Sequence, residues 1–317
     1  MAVMRARRTT LAVPGSSPRM LEKSRSLATD ALFLDLEDSV SPLVKEQARD
    51  NVTSALLEGG FGDRVISVRI NALDTEWAND DLTQVIKQAG DKLHCILVPK
   101  VQTAQQVRDI DERIATLESA RGLSVGSIGL EAQIEDALGL VNVDQIAAAS
   151  NRLESLVFGP ADFMASINMK SLVVGQQPAG YSEGDAYHYP LMRMLVAGRA
   201  FGKQVIDGPY LGIKDLDGLR TAAMRSAALG FDGKWVLHPD QIDIVNDIFS
   251  PSQVDFDHAE LILEAYEFHT SSSGGARGAV MLGEEMIDEA SRKMALVISA
   301  KGRAAGMTRT TQFSSEH

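Results

Sequence analysis

The sequence is short of cysteine and of positive charge. Cys95 is the only cysteine among 317 residues, so the chain cannot close an internal disulfide and its fold does not depend on an oxidising compartment. Asp and Glu outnumber Lys and Arg by 43 to 31, which gives a formal net charge of −12. This surplus argues against nucleic acid and anionic membrane surfaces as partners, because both are polyanions.

Long apolar runs are also missing. No segment approaches the roughly 18 consecutive apolar residues of a membrane-spanning helix. The basic stretch MAVMRARRTT leads only into LAV, which is too short for the apolar region of a signal peptide. We therefore expect a cytoplasmic protein with no membrane partner, and its 44% of hydrophobic residues is ample for a large buried core.

What the sequence does contain is a series of short runs rich in Val, Ile, Leu and Phe, typical of strands buried on both faces. They read TTLAVPG, DALFLDLED, RVISVRIN, HCILVPKV, SIGLEAQIE, LESLVFGPAD, KQVIDGPY and GKWVLHP. Segments with helical spacing lie between them, and many begin with Ser, Thr, Asp or Asn and end with Gly. Strand then helix, eight times, predicts an α/β fold of the (β/α)8 TIM-barrel type. An open doubly wound sheet is the alternative, but the sequence has no G-x-G-x-x-G turn.

The chain changes character after the eighth predicted strand. DQIDIVNDIF and VDFDHAELILEAYEFH predict two helices, TSSSGGARGA a flexible loop, and GEEMIDEASRKMALVISAKG a further amphipathic helix. We predict a barrel domain over residues 1–250 and a C-terminal helical extension over residues 251–317. From the pattern alone, the last helix is either a lid or an extra surface helix.

The active site of such a barrel forms at the carboxyl ends of its strands. In this sequence those ends carry Pro14, Gly15, Asp35, Glu37, Asp38, Arg69, Asn71, Lys100, Glu131, Glu135, Asp162, Asp207 and His238. Any one acid could simply cap the following helix, but several acids on one rim repel each other unless they share a cation. Oxygen ligands alone favour Mg2+ or Mn2+ over zinc. Such an ion beside Arg69 suits a retro-aldol or retro-Claisen reaction next to a carboxylate.

Several of these segments carry a family resemblance. DLEDSVSPLVKEQAR resembles a hallmark of the HpcH/HpaI aldolase and citrate lyase β-subunit family. The same is true of VPGSSPRMLEK, SVRINALDT, VPKV, FGPADFMASINM and IDGPYLGIKDLDGLRTAAMRSAALGFDGKWVLHPDQI. The resemblance extends from about Thr10 to the C-terminal helix. RINALDT, FGPADF, DGPY and GKWVLHPDQI are most similar to the malyl-CoA/β-methylmalyl-CoA lyases.

The resemblance implies a role for individual residues. Glu135, in QIED, and Asp162, in GPAD, match the metal ligands, and Asp136 stands where the family usually has Thr or Ser. Arg69 matches the arginine that holds the substrate carboxylate and the enolate. The DLED acids Asp35, Glu37 and Asp38 match acids close to the metal waters, with Glu37 and Asp38 expected in catalysis and Asp35 in substrate binding. Pro160 and Ala161, in GPAD, are expected to contact the substrate.

Two further matches concern CoA and a neighbouring subunit. Lys23 matches a basic residue that faces the CoA phosphates; Ser17 stands at another basic position, and Arg19 could substitute for it. Asp288, in EEMIDEASRKMA, matches an aspartate that the family's C-terminal segment brings to the active site of a neighbouring subunit. The resemblance therefore predicts a lid, and a homotrimer or hexamer.

The predicted function is that of a Mg2+-dependent carbon–carbon lyase, with Mn2+ as an alternative ion. Its substrate would be a malyl-CoA or β-methylmalyl-CoA type of thioester, cleaved to a 2-oxo acid such as glyoxylate and an acyl-CoA. One alternative is a hydrolase that cleaves the thioester itself. Another is a citrate lyase β subunit that acts on citryl or citramalyl thioesters within a complex.

Overall fold

The computed structural model describes residues 5–182 and 184–312. The chain divides into two compact units, the first ending at Phe249 and the second beginning at Ser250. Among the described residues, no helix is both long and apolar enough to cross a membrane.

Eight parallel strands form a closed barrel in chain order, so the predicted (β/α)8 fold is confirmed. The barrel closes where Thr10 of the first strand pairs with Trp235 of the eighth, which rules out the open sheet. The strands are β1 Thr9–Pro14, β2 Ala31–Asp35, β3 Val65–Arg69, β4 Cys95–Val98, β5 Gly129–Ile134, β6 Leu153–Phe158, β7 Gln204–Asp207 and β8 Gly233–Val236.

The helices of the first unit follow the strands. They are α1 Pro18–Ser24, α2 Lys45–Glu58, α3 Ala78–Ala89, α4 Ala104–Arg121, α5 Ala137–Val141, α6 Val143–Ala148, α7 Pro160–Ser166, α8 His188–Ala200, α9 Leu216–Leu229 and α10 Ile242–Phe249. Their ends follow the sequence signals: Thr103 and Gln106 form a capping box at the start of α4, and Gly122 ends it in the left-handed conformation.

Alternation along the strands produces two apolar layers. One layer joins outward-facing strand residues, such as Leu34 and Val68, to helix residues such as Leu82. The other is a small cluster of Phe33, Leu97, Val157, Ile206 and Trp235, which come from five different strands. Side chains of a strand alternate between its faces, so these five fill the barrel interior and form a floor beneath the carboxyl ends of the strands.

A buried polar network fills the barrel below this floor and corrects one sequence prediction. Glu131 was predicted at the mouth, but it is the third residue of β5 and lies inside the barrel. Its carboxylate accepts hydrogen bonds from Ser67 Oγ at 2.7 Å and Ser155 Oγ at 3.0 Å. Arg7 contributes to the same network and donates to Glu154 Oε2 at 2.8 Å. Glu131 is therefore a structural partner and not a residue of the mouth.

The second unit contains α11 Gln253–Thr270, a hairpin of β9 Val280–Leu282 and β10 Glu285–Ile287, and α12 Glu289–Ala304. The two helices approach closely at Gly302, where a Cβ atom would lie 2.2 Å from the Phe256 ring. The hairpin was not predicted: the last helix was expected from Gly283 but begins only at Glu289. Gly283 has a φ of 62°, which suits the turn between the two short strands, and Asp288 caps the helix.

Candidate active site

The DLED segment begins at Asp35, the last residue of β2, and holds Arg69, the last residue of β3. Asp35 binds the Arg69 guanidinium in a bidentate manner, with both N–O distances at 2.7 Å. Both residues are buried. Burial alone would raise the pKa of Asp35, but the neighbouring guanidinium outweighs it and the net pKa is lowered. The planar fork of Arg69 is therefore fixed from one side, with donors left for a substrate oxygen.

Glu37 occupies the space between Arg69 and Lys100. Its Oε2 lies 3.0 Å from Arg69 Nη1, and its Oε1 accepts a hydrogen bond of 2.6 Å from Lys100 Nζ. Burial raises the pKa of Glu37, and the two cations offset only part of that effect. Asp38 is different: its side chain is exposed at the rim, 3.5 Å from Lys100 Nζ. Of the two DLED acids predicted to be catalytic, Glu37 thus faces Arg69 and Asp38 faces solvent.

Glu135 follows β5 directly and is held on both carboxylate oxygens. Lys100 N donates to Oε1 at 2.7 Å, and the Gln133 side-chain amide donates to Oε2. Gly159 packs against the same side chain, because a Cβ atom at this glycine would lie 2.4 Å from Glu135 Cβ and Oε2. These contacts position the carboxylate before any ligand arrives, as the ligands of a metal site require.

Asp162 lies in the first turn of α7 and influences Glu135 electrostatically. Burial is the largest of the effects that raise the pKa of Glu135 to about 8, and the negative charges of Glu37 and Asp162 contribute to the same rise. The structure thus brings together Asp35, Glu37, Arg69, Glu135 and Asp162, whose roles as a site stay predictions. With a pKa near 8, this carboxyl group stays mostly protonated at neutral pH unless an additional positive charge lies next to it.

The residues fit a hard divalent cation. Glu135 and Asp162 offer only oxygen, and their charges destabilise one another in the absence of an ion. In the described part of the chain, no group of three or more His, Cys, Asp or Glu residues could hold a metal ion. A cation held by two protein carboxylates would leave coordination positions for water and substrate.

Asp136, which departs from the family pattern, is engaged elsewhere. Its side chain caps α5 by accepting a hydrogen bond from Gly139 N at 2.6 Å, and it also accepts one from the Gln102 side-chain amide. The additional charge therefore stabilises the start of a helix and links the loops that follow β4 and β5.

Aromatic rings support Arg69 from below. The guanidinium carbon lies 5.4 Å from the centre of the Phe33 ring and 5.0 Å from that of Trp235. These two rings contact each other edge to face at 4.6 Å. Cation–π contacts in a buried setting hold the guanidinium in place and shield its ion pair from water. Neither aromatic residue was predicted to have this role from the sequence.

Three other strand-end residues serve the fold. Asn71 donates from its side chain to Asp81 at 2.6 Å. Asp207 forms a buried ion pair with Lys234 at 2.6 Å. His238 caps the short 3-10 helix Pro239–Gln241 through a hydrogen bond from Asp240 N. These three predicted strand-end residues therefore have structural partners and do not contact Arg69 or Glu135.

The predicted substrate-side residues lie on two short helices. Arg19 and Lys23 are exposed and four residues apart on α1, which places them on one face. Ser17 caps that helix by accepting from Met20 N, which explains a hydroxyl at this position. Pro160 begins α7 next to the exposed Ala161.

Asp288 is the N-cap of α12 in the second unit. Its carboxylate accepts hydrogen bonds from Ala290 N at 2.8 Å and Ser291 N at 3.0 Å. The hydrogen bond from the Ser291 backbone lowers the pKa of Asp288. The predicted role of Asp288 in a neighbouring subunit stays a prediction.

Three residues of this site received no role from the sequence: Lys100, Gln133 and Gly159. A signal for Gln133 was present, because residues two apart on a strand share a face and Glu135 follows it at that spacing. Lys100 was noted as a strand end, but its φ of 52° and its double contact could not be read from the sequence. The approach of Gly159 to Glu135 depends on how β5 and β6 pair.

Comparisons with known proteins identify the relatives of this chain. A family model described as HpcH/HpaI aldolase/citrate lyase matches residues 8–239. An L-malyl-CoA/beta-methylmalyl-CoA lyase from Cereibacter sphaeroides is 38% identical over 302 residues, which cover 93% of this chain and 94% of the relative. The citrate lyase subunit beta of Escherichia coli K12 is 34% identical over 303 residues, covering 96% and 95%.

Solved structures share the architecture. CitE from Mycobacterium tuberculosis, in complex with magnesium, acetoacetate and coenzyme A, matches with a TM-score of 0.70 and 26% identity over 94% of this chain and 98% of that one. RipC from Yersinia pestis matches with a TM-score of 0.62 and 28% identity over 78% and 97%. The barrel, its carboxylate site and the named relatives define the class, a carbon–carbon lyase on a (β/α)8 barrel. Within that class, the chain belongs to the HpcH/HpaI aldolase/citrate lyase family, as the resemblance predicted.

Proposed function

We propose that this lyase cleaves, or forms, a malyl-CoA or β-methylmalyl-CoA type of thioester in a Mg2+-dependent reaction. The observation that carries the proposal is the buried carboxylate of Glu135, clamped on both oxygens and raised in pKa by burial, Glu37 and Asp162. Relatives named for malyl-CoA and β-methylmalyl-CoA support the substrate class, and a structural relative bound to magnesium and coenzyme A supports the cofactor and the thioester.

Glu135 and Asp162 would hold the cation. When bound, a divalent cation supplies Lewis acidity that lowers the pKa of a substrate hydroxyl and polarises a neighbouring carbonyl. The residues of the chain then have separate tasks. Arg69, held by Asp35 and supported by Phe33 and Trp235, presents fixed donors to the oxygen on which enolate charge develops.

The proton balance of the cleavage reaction assigns a role to Glu37. The hydroxyl on C3 gives up its proton, the C2–C3 bond breaks to leave a 2-oxo acid, and the acyl-CoA enolate takes up a proton at C2. Glu37 has a raised pKa and faces Arg69, which suits a carboxylate that accepts the hydroxyl proton.

Asp288 would donate a proton to the enolate in the cleavage direction, or remove one from the acyl-CoA in the condensation direction. Two backbone N–H groups hold its carboxylate ionised, so it suits the removal of a proton from the acyl-CoA in the condensation direction. The exposed Arg19 and Lys23 would face the CoA phosphates. A homotrimer or hexamer would bring Asp288 to a neighbouring site.

The test is a thioester assay on the full-length protein with Mg2+ and with EDTA. We expect glyoxylate and acetyl-CoA from malyl-CoA, and loss of the reaction in EDTA. Glu135→Gln should lower kcat/KM by roughly 100- to 1000-fold or more with an unchanged circular dichroism spectrum. Glu112→Gln, at an exposed position on α4, is the matched control and should behave like the unmodified protein.

The products decide the reaction class. Free malate and CoA would indicate thioester hydrolysis and overturn the proposal. So would full activity of the Glu135→Gln variant.

A further inference from the structure

Lys100 contacts both carboxylates that frame the site. Its backbone N–H donates to Glu135 Oε1 at 2.7 Å, and its ammonium donates to Glu37 Oε1 at 2.6 Å. The residue adopts a φ of 52°, a conformation that residues other than glycine, Asn and Asp rarely adopt and that persists where the surroundings fix it. This conformation lets one residue reach both carboxylates.

The site around Lys100 contains two more acidic side chains than basic ones. Four carboxylates meet at the mouth, Asp35, Glu37, Glu135 and Asp162, and two cations face them, Arg69 and Lys100. Adding the neighbouring Asp38 and Lys45 leaves the balance unchanged, because one is an acid and the other a base. With all of these groups ionised, the formal charge of the mouth is −2, which one divalent cation neutralises.

We infer that Lys100 is a positioning residue that sets this charge and thereby balances the affinity for the cation against the affinity for an anionic substrate. With its carboxylates ionised, as the bound cation requires, the mouth without this ammonium would carry a formal charge of −3. A divalent cation would then bind more tightly, and a substrate carboxylate would meet a net negative charge even after the cation had bound. The part that concerns the substrate rests on the proposed function, whereas the part that concerns the cation does not.

The experiment compares Lys100→Met with Lys100→Arg in the full-length protein. Both replacements keep the backbone N–H and the same backbone conformation, and only the first removes the charge. Mn2+ serves as the probe, and its dissociation constant is measured by electron paramagnetic resonance without substrate. Lys87→Met removes a charge from an exposed position near the end of α3 and is the matched control.

We expect Lys100→Met to bind Mn2+ about tenfold more tightly, since the partly exposed Lys100 ammonium is screened in part by solvent. The KM for a malyl-type thioester should rise by at least a similar factor. Lys100→Arg and Lys87→Met should stay within about twofold of the unmodified protein. A disturbed site would weaken both ligands together, so opposite shifts distinguish the charge effect from a loss of structure.

A second variant covers the case in which Lys100→Met does not fold because Glu37 is left buried with one partner fewer. Lys100→Met combined with Glu37→Gln removes one charge of each sign, and its Mn2+ affinity should return to within about twofold of the unmodified value. Unchanged or weaker Mn2+ binding by Lys100→Met, or unchanged tight binding by the double variant, would overturn the inference. Lack of lyase activity in the unmodified protein would instead count against the proposed function.

Discussion

At the scale of single residues, the site is a set of buried charges whose energies depend on one another. Glu135 shows this best. Burial raises its pKa to about 8 from an ordinary value of 4.5, so the folded protein without metal binds a proton there that the unfolded chain releases. Because the pKa of Glu135 is higher in the folded protein than in the unfolded chain, its protonation stabilises the fold fully below about pH 4.5. This stabilisation is lost as the pH rises through about 8.

This sign gives a prediction about stability. In EDTA, the free energy of unfolding should decline between about pH 5 and 8, and saturating Mg2+ should remove much of that decline because the ion binds the ionised carboxylate. Urea unfolding across this range, with and without Mg2+, measures it. Glu135→Gln cannot ionise and should show a flatter profile in EDTA. An equally steep decline in that variant would assign the effect to other groups.

Most charged residues of the site could be predicted from the sequence, but one residue was assigned to it wrongly. Glu135, Asp162, Arg69, Asp35 and Glu37 were predicted together, because strand ends of a barrel meet at one rim. Glu131 was assigned to the same rim wrongly. It shares a strand face with Glu135, but the sequence could not show that β5 begins at Gly129 and that the pairing with β6 shifts between Leu130 and Glu131.

At the scale of elements, regular and long segments were predictable and short ones were not. All eight barrel strands were predicted, because strands buried on both faces are continuous apolar runs. The β9–β10 hairpin was missed, since its two strands have three residues each and show no periodicity. The helix that follows was therefore begun too early, although Asp288 and Ser291 form a capping box at its true start.

The capping box at the start of α12 gives a prediction that distinguishes helix capping by Asp288 from its proposed role in proton transfer. Asn caps helices about as well as Asp, so Asp288→Asn should keep the melting temperature, whereas Asp288→Ala should lower it. Neither variant can accept a proton at this position. Both should therefore lose roughly 100-fold or more of the lyase rate, which comparison of thermal melting with steady-state kinetics would show. A fully active Asp288→Asn variant would restrict Asp288 to capping.

At the scale of the whole molecule, the chain carries the carboxylate site in one unit and the candidate proton carrier in the other. Glu135 belongs to the unit that ends at Phe249, and Asp288 belongs to the unit that begins at Ser250. If a symmetric trimer or hexamer brings them together, each working site takes one residue from each of two chains. A mixed assembly of two inactive variants, one altered at Glu135 and the other at Asp288, should then regain part of the lyase activity.

Mixing Glu135→Gln and Asp288→Asn chains tests this directly. In a randomly mixed ring, about a quarter of the sites combine an intact Glu135 with an intact Asp288 of the neighbour, so activity should recover to about a quarter of the unmodified level. The two variants are unfolded and refolded together, or co-expressed, and light scattering should give an assembly of three or six chains of 34.2 kDa. If Asp288 served the barrel of its own chain, every site in the mixture would still lack one residue. Mixed assemblies with no more activity than either variant alone would then place the two residues in one subunit.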